Sequence, residues 1–329
     1  MKALPMRDDK NLISKVLVLD SSSECRKQIR AFCETQNLQA LKVLEENLLS
    51  VLRSNVDLGG IMIAEDLGGK PQDGIRLGEQ IHKIRPELPL FLRRENLQGT
   101  DDLSEAQKAT FTGVYTIDQI HTLQAAIETT IFSLVYPPQL VRGIAEMTQT
   151  SLQSQFKGLT VQIDTPYIVR DRLIFGEIFT LIPIESDWCR GYMTLQAEEA
   201  PLLTLVKANK THIAPVEGDD FRNLNGILGE ITNLIWGAFK NRYSAFKAVQ
   251  AHLAQVPIVI NHMHRYISFG SENPQLCFKC TLSDSDNPAL PPLVIYQRFV
   301  FNLNWSPEDF HENDQSLDSL VASGELELF

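Results

Sequence analysis

Long apolar runs are missing from this sequence. Nothing in its 329 residues approaches the roughly 18–20 consecutive apolar residues needed to span a bilayer. The stretch from Met1 to Lys15 has neither an apolar h-region nor a small-residue cleavage site, so no signal peptide is expected. Cysteine is sparse: Cys25, Cys33, Cys189, Cys277 and Cys280, odd in number and irregular in spacing. That excludes a disulfide framework and predicts a reducing, cytoplasmic setting. A basic surplus is missing too. With 30 Lys+Arg against 41 Asp+Glu the formal charge is −11, and an acidic chain is a poor binder of nucleic acid or anionic membrane. Gly-x-Ser-x-Gly, P-loop and HExxH motifs are absent, which leaves triad-hydrolase, NTPase and zinc-protease chemistry without support.

Metal ligation has little to stand on. Cys277 and Cys280 form a CxxC inside an alternating stretch, without the helix N-terminus of a redox pair or the second ligand pair of a zinc site. They read as two strand cysteines. His262 and His264 share a strand face but have no third ligand nearby.

What is present is a chain able to bury a core, 43% apolar and 22% charged. At about 150 residues per domain its length suggests two domains. Pro137-Pro138 marks the break, because proline cannot continue a helix. The expected division is 1–136, 137–305 and a tail, 306–329. The tail carries seven acidic residues and no Lys or Arg, which leaves only −4 on the other 305 residues. Such a segment is expected to be flexible, its last residues Glu325-Leu326-Glu327-Leu328-Phe329 being apolar enough for a short docking peptide.

Residues 15–134 alternate strand and helix signals. Lys15–Asp20 and Gly60–Ala64 read as buried parallel strands, each closed by acidic residues: Asp20 after the first, Glu65-Asp66 after the second. Leu88–Leu92 and Gly113–Thr116 are further strands, and Gln119–Leu134 is the closing helix. The alternation predicts an α/β doubly wound parallel sheet with any site at the carboxyl ends of its strands.

This stretch resembles the receiver domain of response regulators, through the acidic ends of its strands and the turn leading to Asp73-Gly74. The resemblance implies Mg²⁺ held by an acidic pair and phosphorylation of an aspartate. The departures are specific. Asp20-Ser21 stands where the family has two acids, and Thr116-Ile117 where it has Lys-Pro. Arg93-Arg94 stands where it has Thr or Ser, and places two arginines at the crevice where an anion would sit. The phosphosite falls at Asp66 by spacing to Asp73-Gly74, or at Glu65 by strand length. Phosphoryl transfer develops charge that a metal and a lysine normally neutralise. The expectation is therefore a degenerate receiver, with Asp20 and Asp66 as vestiges of a phosphosite.

In the second half, Gln139–Phe156 reads as an amphipathic helix, followed by strand-like stretches Leu159–Ile168, Leu173–Ile184 and Gly191–Leu195. The informative segment is Asp219–Phe246. Phe221, Leu224, Ile227, Leu228, Ile231, Leu234, Ile235 and Phe239 fall on one helix face. The opposite stripe is Gly226, Glu230, Asn233 and Gly237, with Gly229 beside it. Three helical glycines give up about 1 kcal/mol each relative to alanine. Close packing would account for the glycines, though not for a carboxylate and an amide between them. The stripe alternatively lets the backbone of another macromolecule approach two polar groups on a rigid element.

Leu228-Gly229-Glu230-Ile231-Thr232-Asn233 with Gly237 resembles the signature of the CheX group of CheC/CheX/FliY phosphatases, Glu-x-x-Asn on a long helix followed by a glycine. Gly191–Leu195 resembles the family's strand before its first core helix. The likeness covers roughly 138–304 and implies an α+β domain of long helices packed on a sheet. It also implies hydrolysis of the phosphoaspartate of a CheY-like response regulator. Asn233 would orient water and Glu230 would pair with the receiver's lysine. Mg²⁺ would belong to the partner, with no cofactor of this chain's own, and a homodimer is expected. The family often has Asn after the glycine; here it is Ala238. The competing expectation is a non-catalytic protein that docks receivers, or itself, through the same surfaces.

Overall fold

A computed structural model describes residues 12–43, 47–54, 57–95, 100, 102–171, 173–175, 177–243, 257–261, 266–268, 273–301 and 305–312. The chain opens with β1 (Ile13–Leu19), α1 (Ser23–Thr35), β2 (Leu38–Lys42), α2 (Leu48–Ser54), β3 (Gly60–Ala64), α3 (Asp73–Ile84) and β4 (Leu90–Arg94). It continues with α4 (Glu105–Thr110), β5 (Gly113–Thr116), α5 (Gln124–Thr130), α6 (Pro138–Gln155), β6 (Thr160–Ile163), β7 (Tyr167–Val169) and β8 (Leu173–Phe175). Then come β9 (Ile178–Glu185), β10 (Arg190–Ala197), α7 (Glu199–Lys207), α8 (Asp220–Tyr243), β11 (Ile258–Asn261), β12 (Tyr266–Ser268), β13 (Gln275–Ser283) and β14 (Leu293–Phe301). His262, His264 and the terminal Glu325–Phe329 lie outside the described residues. Among the described residues no helix is long and apolar enough to cross a membrane.

Two compact units result, each built from three stretches: Met1–Val135, Thr165–Leu173 and Ser268–Cys277 in the first; Tyr136–Asp164, Ile174–Ile267 and Phe278–Phe329 in the second. The first is a doubly wound α/β unit. Strands β2, β1, β3, β4 and β5 run parallel in that order. Alternate residues feed two cores. Leu17, Leu19, Ile61, Ile63, Leu90 and Leu92 pack with Ile75, Ile81 and Phe111 on one face. Val16, Val18, Met62, Phe91 and Tyr115 pack with Ile29, Phe32 and Ile127 on the other. Burial on both faces explains why these strands read as unbroken apolar runs.

β7 adds to the unit beside the start of β1, where the Ser14 hydroxyl donates to the Ile168 carbonyl at 2.7 Å. The expected strand Leu159–Ile168 is thus two strands, split by 164–166, with only the second in this unit. The expected helix Gln119–Leu134 is also shorter: a 3₁₀ turn over Ile117–Leu123 precedes α5.

In the second unit the sheet order is β11, β9, β10, β14, β13, β6. Met193 sits opposite both Ile182 and Phe299. α6 and α8 cover the face these residues share. Phe239 of α8 stacks on Phe299 at 5.6 Å, and the Thr148 hydroxyl of α6 donates to Gln297 Oε1 at 2.8 Å. Gly143 lets the helices meet, because a Cβ there would lie 1.7 Å from the Tyr243 hydroxyl. The start of the acidic segment does not hang free, as its charge alone suggested. Ser306 donates to the Trp188 carbonyl at 2.9 Å, Phe310 packs edge-on against Trp188, and Glu312 pairs with Arg242.

Candidate functional site

α8 starts where its sequence says it should. Asp219 accepts the Arg222 amide at 3.0 Å, satisfying a first-turn donor. The Asn223 side chain clasps both the amide and the carbonyl of Val216, tying the first turn to the preceding loop. Leu224, Ile227, Leu228, Ile231, Ile235 and Phe239 are buried. Burying each is worth about 1.5–3 kcal/mol relative to exposure, which outweighs three glycines at about 1 kcal/mol apiece. Phe221 departs from the expected stripe: it is 49% exposed, in the first turn. Leu234 is only half-buried.

The helix cannot roll. Thr232 donates to the Leu228 carbonyl at 2.7 Å, so its oxygen accepts from Thr180 of β9, also at 2.7 Å, in a fully buried pair. At the other end the Trp188 indole donates to the Tyr243 carbonyl at 2.9 Å. With rotation fixed, Glu230 and Asn233 face outward and are exposed. They are one helical turn apart, about 4.5 Å along the axis. Among the described residues neither makes a hydrogen bond or an ion pair.

The glycines around them answer the question left by the sequence. A Cβ built at Gly226 or Gly237 meets nothing within 4 Å, and one at Gly229 meets only the Val259 methyl at 3.9 Å. Packing among the described residues therefore does not require them. Among the described residues nothing covers the strip of helix on which the two polar side chains stand.

The crevice of the first unit is arranged very differently. Arg93 and Arg94 are not exposed; they end β4 and are 3% and 2% exposed. Arg93 Nε donates to Asp20 Oδ2 at 2.6 Å and its Nη1 to Glu95 at 2.7 Å. Arg94 holds Glu65 through two bonds of 3.0 and 3.1 Å, and Asp102 through two of 2.6 Å. Burial alone would lower the Arg93 pKa, but the bonds to Asp20 and Glu95 raise it. Asp102 is drawn down from its ordinary 3.8 to about 2, chiefly by Arg94. Burial pushes the nearby Tyr115 phenol well up. The structure thus brings Asp20 and Glu65 to the arginines, and gives Asp66 to the loop, where Oδ1 accepts the Gln72 amide at 3.1 Å. Gln72 is left-handed, φ 60°, and Gly74 follows because a Cβ there would lie 1.7 Å from the Ala64 carbonyl oxygen.

Cys277 and Cys280 are buried, free thiols in β13. Among the described residues no three His, Cys, Asp or Glu side chains are grouped to hold a metal ion.

No family model matches the chain, and no curated protein matches it by sequence. Solved structures do match it. A chemotaxis protein CheX from Desulfovibrio desulfuricans is 14% identical, with 50% of this chain and 99% of that one covered and a TM-score of 0.35. A chemotactic CheC-like protein from Shewanella oneidensis is 16% identical, with 50% and 97% covered and a TM-score of 0.34. A response regulator receiver protein from Pseudoalteromonas atlantica is 17% identical, with 36% and 98% covered and a TM-score of 0.32. Scores of that size leave the chemistry of the site to its own residues.

Proposed function

We propose that the second unit is a phosphatase for the phosphoaspartate of a CheY-like response regulator. One observation carries the reading: among the described residues, Glu230 and Asn233 are exposed and unengaged on a helix whose rotation is fixed, between glycines with open space above them. A catalytic element that must reach into another protein's crevice needs its polar groups free and its own backbone slim.

The chemistry follows from the two side chains. An amide offers both a donor and an acceptor. Asn233 holds a water in line with the phosphorus of the partner. The water oxygen bonds to phosphorus as the bond to the aspartate oxygen breaks, and the products are orthophosphate and a free carboxylate. Glu230 pairs with a lysine of the receiver and fixes the docked pose. Mg²⁺ belongs to the partner, where it neutralises charge on the phosphoryl oxygens. The contribution of this chain is positioning rather than covalent catalysis.

Incubation with a phosphorylated receiver, followed by its phosphoryl half-life, tests the reading. A shortened half-life supports it. Binding of the phosphorylated receiver with an unchanged half-life favours instead a docking protein without catalysis.

A further inference from the structure

The receiver-like fold of the first unit implies a divalent cation between its acidic strand ends. The residues present do not fit one, because Asp20 and Glu65, the acids that would face it, are already paired with arginines. Asp20 spends one carboxylate oxygen on Arg93 and the other on the Ser22 amide at 2.8 Å. Ser21, where a second acid would stand, accepts the Gly68 amide at 2.8 Å and so anchors the loop after β3. Glu65 receives a bond from Arg94 on each of its carboxylate oxygens. Asp66 is exposed and tied to the loop after β3, where one of its oxygens accepts the Gln72 amide. A cation entering at Asp20 would have to displace a guanidinium whose pair is buried on both sides, 3% and 1% exposed. That would strand a positive charge beside the incoming one.

We infer that Arg93 stands in for the metal ion, so that the first unit holds its crevice closed without a divalent cation and takes no phosphoryl group at Asp66 or Glu65. Two arginine–carboxylate pairs, Arg93 with Asp20 and Arg94 with Glu65, replace the reversible cation and phosphoryl charges of a switching receiver. The unit is then a module of fixed state, and signals reach it by binding alone. This inference stands apart from the proposed phosphatase activity, which uses other residues on the second unit.

The full chain tests it in two ways. Manganese uptake is followed by the loss of its free electron-spin resonance signal, in wild type, Asp20→Asn, Arg93→Ala and the double variant. The expectation is that wild type and Asp20→Asn take up the same amount, any uptake coming from acidic residues elsewhere. Arg93→Ala gains a site that the double variant loses. In parallel, treatment with acetyl phosphate and magnesium leaves the intact mass unchanged, under conditions that label a control receiver. Wild-type uptake that Asp20→Asn abolishes overturns the inference, as does a mass gain of one phosphoryl group mapped to Asp66 or Glu65. A folded Arg93→Ala that gains no site also overturns it, since the arginine would not then be what excludes the ion. If Arg93→Ala does not fold, the comparison of wild type with Asp20→Asn and the mass measurement decide the matter.

Discussion

Thr180 of β9 donates its hydroxyl to Thr232 of α8 at 2.7 Å, in a pair with no exposed surface, one residue before Asn233. That bond sets which way α8 faces, and so holds the Glu230–Asn233 strip outward. Replacing Thr232 by Val leaves the Thr180 hydroxyl buried without its acceptor, at a cost of about 1–3 kcal/mol. Replacing both by Val removes the orphan and recovers most of that loss. Urea unfolding of wild type and the two variants checks it; equal stabilities for the single and double variants would contradict the coupling.

The glycines predict a trade between stability and activity. Ala at Gly226 or Gly237 enters open space on the helix surface, so each variant is expected to be more stable by up to about 1 kcal/mol. The added methyl groups stand where the partner's backbone must come close. Dephosphorylation is therefore expected to slow while the melting temperature rises. A rise in both would remove the case for close approach.

Acid stability reports on Arg94. The Asp102 carboxyl is lowered from 3.8 to about 2, chiefly by its bonds to Arg94, so the folded state binds its proton less readily than the unfolded state. The stabilisation is complete above the unfolded value and is lost as pH falls from about 4 through about 2. Asp102→Asn lacks that dependence. Urea midpoints of the two proteins are expected to differ at neutral pH and to converge in acid; a gap that stays constant to the lowest pH contradicts the assignment.

Thiol reactivity follows burial. Cys33 and Cys189 are both pushed up to about 12, mainly by burial, so neither is a thiolate at neutral pH. Iodoacetamide on the native protein is expected to leave both unmodified, while the half-buried Cys25 reacts first. Peptide mapping after native and denaturing treatment decides it. Native labelling of Cys33 at the rate of Cys25 would contradict the packing.

Much of this was legible because periodicity reports burial. β3 and β5 carry the predicted ends, and α8 was visible in its apolar stripe. Other features had no local signal. β2 is short and only partly buried, so its pattern is weak. β7 has three residues, too few to encode which unit they join. Arg93 and Arg94 read as crevice arginines where an anion would sit, and nothing local marked them as buried, since arginine is mostly exposed. Their partners Asp20 and Glu65 lie 73 and 29 positions away, and only the fold brings them together. Phe221 fits the helical spacing, but it belongs to a first turn that the core does not reach. At the site, spacing named Glu230 and Asn233, while the open space over the glycines could come only from the structure.

In the proposed reaction Asn233 positions the water that attacks a partner's phosphoaspartate. Its direct test is orthophosphate release from a purified phosphorylated receiver under single turnover, with wild type and Asn233→Ala. Asn233 is exposed and makes no hydrogen bond among the described residues, so the variant is expected to fold and bind as wild type does. Wild type is expected to accelerate release, and Asn233→Ala to lose on the order of 10²-fold of that rate, approaching the receiver alone. Equal acceleration by wild type and Asn233→Ala would contradict it.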